Sequence, residues 1–298
     1  MVDFGIQIIN DSGQTQVDQN YRNLVLRNSF VGYTTTAVGK DIYGTPLPNS
    51  LGGLTSYIDY GFTKTNYESP IIAVTNHRLG GSYGATTITG FNQDASNWYF
   101  SVYMKGDVGS AFEVFIFDKP TETYGYGMKV YRGDNTLAFN SEQYPMRFGS
   151  FATQASNAWT TGPASPSYSP AINTDRKYAM AVAQPYIGFQ TAVWSGPGGG
   201  VSGYPNVQTE PGHTGSASGG ATVKQSNWYL TGFSQGNFGD VFVDQVAWDE
   251  KYWLPTSLTV NPGSPVGPSH GSPAAMTYDS ATAGTYFLYD VTQYPMLS

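Results

Sequence analysis

The sequence predicts an all-β fold: two tandem, related β-sandwich modules with repeated β-hairpins and long Gly/Pro-rich loops. Three observations predict it. The 298 residues include 23 Tyr, 16 Phe and 36 Gly, and only 12% are charged, so strands of Tyr, Thr and Val broken by Gly and Asn dominate. No stretch as long as three helical turns shows a clean helical period. Short segments recur along the chain, and self-similarity constrains architecture more tightly than any single residue.

The first repeat opens Phe4-Gly5-Ile6-Gln7-Ile8, turns at Asn10 to Gly13, and closes at Val17-Asp18. It returns 122 residues later as Tyr126-Gly127-Met128-Lys129-Val130, turning at Arg132 to Asn135 and closing at Phe139-Asn140. Asn and Asp tolerate positive φ and Gly prefers it, so both copies read as hairpins. A third, degraded copy, Ala274 to Asp290, is expected to form a last hairpin. The second and third copies both run on into Gln-Tyr-Pro-Met, at Gln143–Met146 and Gln293–Met296.

Between the hairpins lie two longer bodies. Asn97-Trp98-Tyr99 returns as Asn227-Trp228-Tyr229, and Gly106, Gly109 and Phe112 match Gly236, Gly239 and Phe242. Ile71 to Val74 is matched to Tyr178 to Val182. The second body departs at Asp244 and Gln245, which fall where Val114 and Phe115 sit in the first; a bulge or a wet face would explain them. The expected divisions are 1–122, hairpin plus first module; 123–256, hairpin plus second module; and 257–298, a Pro/Gly-rich linker and C-terminal hairpin. Residues 184–220, with the run Ser195-Gly-Pro-Gly-Gly-Gly200, read as a long loop.

Composition also excludes functions. A net charge of −7 disfavours nonspecific binding to nucleic acid or an anionic membrane surface. With no cysteine, disulfides and thiolate metal sites are ruled out. The opening Met-Val-Asp-Phe-Gly has neither a basic segment nor an apolar run, so no signal peptide is expected. The apolar runs are too short to span a bilayer as helices.

The search for chemistry returns little. His77, His213 and His270 each sit in a loop-like context and read as solvated. Asp249-Glu250 is the one adjacent acidic pair, and neighbours on a strand point to opposite faces, which is wrong for paired-carboxylate work. Asp18, Asn140 and Asp290 recur at hairpin ends, where short polar side chains satisfy backbone groups. No Gly-x-Ser-x-Gly and no phosphate loop occurs. No catalytic, cofactor or metal residue is therefore assigned, and no enzyme is expected. Tyr186, Trp194 and Tyr204 in the long loop are the candidate receptor or interface contacts, because aromatic rings suit sugar stacking or interface anchoring. Trp98 and Trp228 read as core.

The repeated hairpin resembles the opening of tail-associated structural proteins of tailed bacteriophages. Those often begin Gly-apolar-x-Val-Phe/Tyr-Asn/Asp, then a turn Gly, then Phe-Asp-Ser. Val17-Asp18-Gln19 departs from that ending; Phe139-Asn140-Ser141 is closer. The likeness covers about a fifth of the chain, the hairpins alone. It implies a non-enzymatic virion component of the tail tip, baseplate or fibre region, assembled in the bacterial cytoplasm. Its implied partners are other tail proteins and further copies of itself, a trimer by analogy. The alternative is a receptor- or glycan-binding tail module that uses residues 184–220 on a host-surface glycan. A polysaccharide-degrading enzyme is the third and weakest reading.

Overall fold

The computed structural model describes residues 7–9, 15–18, 23–38, 55–77, 84–122, 127–154, 167–169, 171–173, 175–196, 221–235, 237–248, 275–280 and 283–297. The strands in chain order are β1 (Gln7–Ile9), β2 (Thr15–Asp18), β3 (Val25–Tyr33), β4 (Thr36–Ala37), β5 (Thr55–Thr63), β6 (Ile71–Asn76) and β7 (Thr86–Gln93). Next come β8 (Asn97–Lys105), β9 (Ala111–Asp118), β10 (Lys129–Tyr131), β11 (Leu137–Asn140), β12 (Phe148–Gln154) and β13 (Ser167–Ser169). The last are β14 (Tyr178–Gln184), β15 (Ile187–Gly196), β16 (Ala221–Ser234), β17 (Asn237–Trp248), β18 (Ala275–Ser280) and β19 (Gly284–Asp290). Among the described residues one 3-10 turn, Lys64–Asn66, interrupts them. The fold is all-β, as the composition predicts.

Both early hairpins form, and they are superposable in register. Gln7 faces Asp18, Ile8 faces Val17, and a bulge follows before Ile9 faces Thr15. Lys129 faces Asn140, Val130 faces Phe139, and a bulge follows before Tyr131 faces Leu137. Every pair is offset by the 122 residues read from the repeat, and the bulge falls at the same step. In the second copy Asn135 has φ 62°, and its N–H donates to Arg132 O.

The remaining strands build two large sheets. One is seven-stranded, in the order β13-β12-β19-β14-β6-β9-β3. The other is eight-stranded, β18-β15-β16-β7-β8-β5-β4, with β17 also paired to β16. The sheets face each other across a core. Ile72, Val74, Phe112, Val114 and Ile116 of the first sheet meet Ile88, Phe100, Val102 and Met104 of the second. Tyr178, Met180, Tyr286 and Leu288 likewise meet Phe233 and Tyr186. The alternate residues Ala73, Phe115, Phe117, Ala179, Ala181 and Tyr289 form another buried cluster on the outer side of the seven-stranded sheet. That sheet is therefore apolar on both faces.

Both sheets contain strands from both bodies. The joint in the seven-stranded sheet is a single registered pair, Met180 with Val74, between strands matched in the sequence. The joint in the other sheet is Phe233 with Thr86. About the first joint the order β6-β9-β3 is mirrored by β14-β19-β12. The counterpart of β9 is thus β19, although the Asn-Trp-Tyr repeat pairs β9 with β17. A short repeat supports this: Phe115-Ile116-Phe117-Asp118 against Phe287-Leu288-Tyr289-Asp290.

That exchange explains the misfit at Asp244 and Gln245. β17 does not fill the position that β9 fills; it runs antiparallel to β16, with a bulge where Trp228 faces Asp244 and Tyr229 faces Phe242. Two expectations are corrected. The last hairpin does not form, because β18 pairs with β15 while β19 lies between β12 and β14 in the other sheet. Segment 184–220 is not all loop, because Ile187–Gly196 is a strand paired along its length with β16. Its alternating Ile187, Phe189, Thr191 and Val193 carry a strand signal that the following Gly-Pro-Gly run obscured.

Candidate functional site

The Gln-Tyr-Pro-Met repeat builds the site. Each copy is launched by a polar residue at the end of the preceding strand, Asn140 of β11 and Asp290 of β19. The Glu142 N–H donates to Asn140 Oδ1 at 3.0 Å, and the Thr292 N–H donates to Asp290 Oδ1 at 3.1 Å, so both are turns closed by the side chain. Asn140 is buried and also donates to Thr121 O at 3.3 Å. Asp290 is buried and takes a bond from the Arg176 guanidinium. Burial pushes its carboxyl up, but the Thr292 and Arg176 bonds outweigh this and hold it below the usual carboxylate range.

Both copies then run along β3, the last strand of the seven-stranded sheet. Leu26 N–H donates to Tyr144 O, and Met146 N–H donates to Leu24 O, each at 2.7 Å, with Val25 opposite Pro145. The flanking residues make the bonds, so the missing proline N–H costs nothing. Further along, Ser29 Oγ donates to Pro295 O at 2.6 Å, and Leu297 N–H donates to Ser29 O at 3.1 Å. An open strand edge is a template for unwanted pairing. Here the first copy pairs with Leu24–Leu26 and the second bonds Ser29, so the two cover the first part of the strand in succession.

The copies also bind each other. Tyr294 Oη donates to Pro145 O at 2.6 Å and accepts from Arg147 N–H at 2.9 Å. Arg147 Nη1 donates to Gln293 Oε1 at 2.6 Å, and Asp290 N–H donates to Arg147 O at 2.9 Å. Tyr294 is buried, against Phe117 at 5.7 Å and Phe115 at 6.3 Å between ring centres. Burial pushes its phenol up to about 12, and does the same for Tyr289. Tyr144, the equivalent residue, stays exposed, with its ring edge-on to the Tyr294 ring at 6.2 Å. Phe148, Met296 and Leu297, in or just after the two copies, are exposed apolar groups as well. Phe148 continues into an aromatic layer with Phe287 at 6.2 Å and Tyr289 at 6.4 Å.

Two other features lie near the joint between the halves. A cleft of about 430 Å³ opens between β6, β7 and β14, lined by Ile71, Ile88, Phe91, Val182, Pro185 and Phe287. On the outer face of the seven-stranded sheet, Glu113 is 3% exposed and held between the side chains of His77 and Lys177. Its Oε1 is 2.5 Å from His77 Nδ1, and its Oε2 contacts Lys177 Nζ. His77 is therefore not the solvated loop histidine its sequence context suggests; its own N–H is fixed to Ala111 O at 3.0 Å. Among the described residues no group of three or more His, Cys, Asp or Glu could hold a metal ion.

The structure separates the sequence-predicted contact residues. Tyr186 is fully buried in the second core, with its N–H donating to Tyr286 Oη at 3.0 Å, so its ring packs inside the protein and not at a surface. It follows Pro185 at the turn between β14 and β15, a position that the loop reading took for a surface. Trp194 lies on β15, with its side chain outside the described residues; Tyr204, His213, His270 and the Asp249-Glu250 pair also lie outside them. Sequence reasoning missed Glu113 and Lys177. Glu113 is a lone charge in an apolar strand and Lys177 ends the charged run Asp175-Arg176-Lys177, and only the fold brings them together.

No family model, no curated protein and no solved structure matches this chain.

Proposed function

We propose that the chain is a structural, non-enzymatic component of a tailed-phage virion, in the tail tip, baseplate or fibre region. One observation carries the reading. The motif that resembles the opening of phage tail proteins folds twice as the same two-stranded ribbon, in the same register and with the same bulge, outside both large sheets. Isolated ribbons are marginal, so a repeated one needs a neighbour to pack on. The exposed Tyr144, Phe148, Met296 and Leu297, in or just after the motif copies that bond β3, offer further apolar groups to a neighbour. Other tail proteins and further copies of the chain are the proposed partners, in a symmetric homo-oligomer, with a trimer taken by analogy. Assembly takes place in the bacterial cytoplasm, and the mature location is the virion tail. Capturing the tagged chain with candidate tail proteins tests this. Retention of a tail component supports the reading, and retention of none contradicts it.

A receptor- or glycan-binding tail module is the second reading. One observation favours it, on a different surface from residues 184–220. Tyr99 is exposed, and its ring lies across Gly61, where an added Cβ would meet the ring at 3.1 Å. Beside it are Asp94, 2.7 Å from Tyr99 Oη, and the Asp59–Ser101 pair at 2.5 Å. A flat ring bordered by carboxylates suits a sugar face. A glycan array separates the readings: signal lost in Tyr99→Ala supports glycan binding, and no signal from the parent chain removes it.

A further inference from the structure

The Glu113 cluster is built more tightly than an ion pair requires. Lys177 is fixed at both ends of its backbone: its N–H donates to Thr292 Oγ1 at 2.8 Å, and its carbonyl accepts from Val291 N–H at 2.9 Å. Glu113 sits mid-strand in β9, paired with Thr75 on one side and Val31 on the other. The neighbouring Thr75 hydroxyl is buried with no hydrogen-bond partner among the described residues. Strand alternation puts Thr75 and Glu113 on the same face. An amine, a shielded carboxyl, an imidazole on that carboxyl and an unused hydroxyl therefore converge.

We propose that Lys177 and Glu113 are a self-modification site, where the two side chains condense into an isopeptide bond. One proton passes from Lys177 Nζ to the carboxylate, leaving a neutral amine and a carboxylic acid. The amine nitrogen attacks the Glu113 carboxyl carbon, forming a C–N bond. The C–O bond to one oxygen then breaks, and that oxygen leaves as water with one proton from the acid and one from the nitrogen. His77 relays the proton between nitrogen and departing oxygen, and the Thr75 hydroxyl steadies the other oxygen as charge builds on it. No oxidant or cofactor enters the balance. Three groups held by their own backbones meet the positional requirement for such a step. Shielding favours the product, because a buried ion pair carries a desolvation cost that a neutral amide does not.

The position gives the bond a purpose. Lys177 precedes β14 and Glu113 lies in β9, on opposite sides of the single-pair joint between Met180 and Val74. In a chain without cysteine, this link would staple the two halves beside a joint of one registered pair.

Intact-mass spectrometry of the purified full chain is the test, followed by peptide mapping. The expected mass is one water below that of the sequence, with a branched peptide joining residues 113 and 177. The Lys177→Arg variant keeps the charge and should recover the full sequence mass. Parent chain at full sequence mass, or a water loss that persists in Lys177→Arg, overturns the proposal.

Discussion

The Tyr294 hydroxyl donates to the carbonyl of Pro145 at 2.6 Å, so the tyrosine of one Gln-Tyr-Pro-Met copy holds the proline of the other. The same oxygen accepts from Arg147 N–H. Replacing Tyr294 by Phe strands both backbone groups and should cost about 1–3 kcal/mol. Tyr144→Phe, at the exposed equivalent, should stay within about 0.5 kcal/mol. Urea midpoints of the two variants check this, and equal losses would mean that the copies are not asymmetric.

Three buried phenols set an alkaline limit. Burial pushes Tyr286, Tyr289 and Tyr294 up to about 12, against about 10 in the unfolded chain. A raised value means that the folded state holds its proton more tightly. The stabilisation is full below pH 10 and is lost as pH rises toward 12, by about 2–3 kcal/mol per tyrosine. Denaturation midpoints between pH 9 and 12 should fall steeply, while phenolate absorbance lags behind that of free tyrosine. A flat profile would place these rings in water.

Asp290 should act at the other end of the scale. Its value is lowered, so its contribution is present above about pH 4 and disappears as pH falls through the folded value. Asp290→Asn keeps the turn acceptor and loses the charge on Arg176, which is 55% exposed. Parent and variant should differ by no more than about 1 kcal/mol at pH 6, and converge in acid. A gap that widens in acid would reverse the sign argued here.

Gly32 is a packing requirement on β3. A Cβ there would stand 2.3 Å from Tyr60 Oη and 2.5 Å from the tip of the Phe112 ring. Gly32→Ala must displace two core aromatics and should cost about 1–3 kcal/mol. Gly109→Ala meets no neighbouring atom, so its cost comes from the positive φ of 92° alone. Thermal midpoints of both variants separate crowding from backbone strain.

Legibility in the sequence followed the range of the interactions. The two early hairpins and their 122-residue offset could be read, though not their bulges, because a turn and an alternation encode a hairpin locally. The roles of Asn140 and Asp290 were also legible, since a short side chain bonding two residues ahead needs no tertiary partner. The exchange of β17 for β19 was not. Consecutive strands usually neighbour one another, yet β19 enters between β12 and β14 across more than a hundred residues. The usable signal was the pair of apolar quartets ending in Asp118 and Asp290, which is fainter than the shared Asn-Trp-Tyr. Tyr186 was misread because the Gly-Pro-Gly-Gly-Gly run made the whole of 184–220 read as loop, whereas its burial is set by Phe233 and Tyr286 from distant strands.

The central claim is that this chain is an assembling structural protein. Light scattering of the purified chain, alone and mixed with candidate tail proteins, tests it most directly. The account predicts a closed multiple of the 32.2 kDa chain mass and a further rise when a tail component is added. A monomer whose mass is unchanged by every tail component would contradict it.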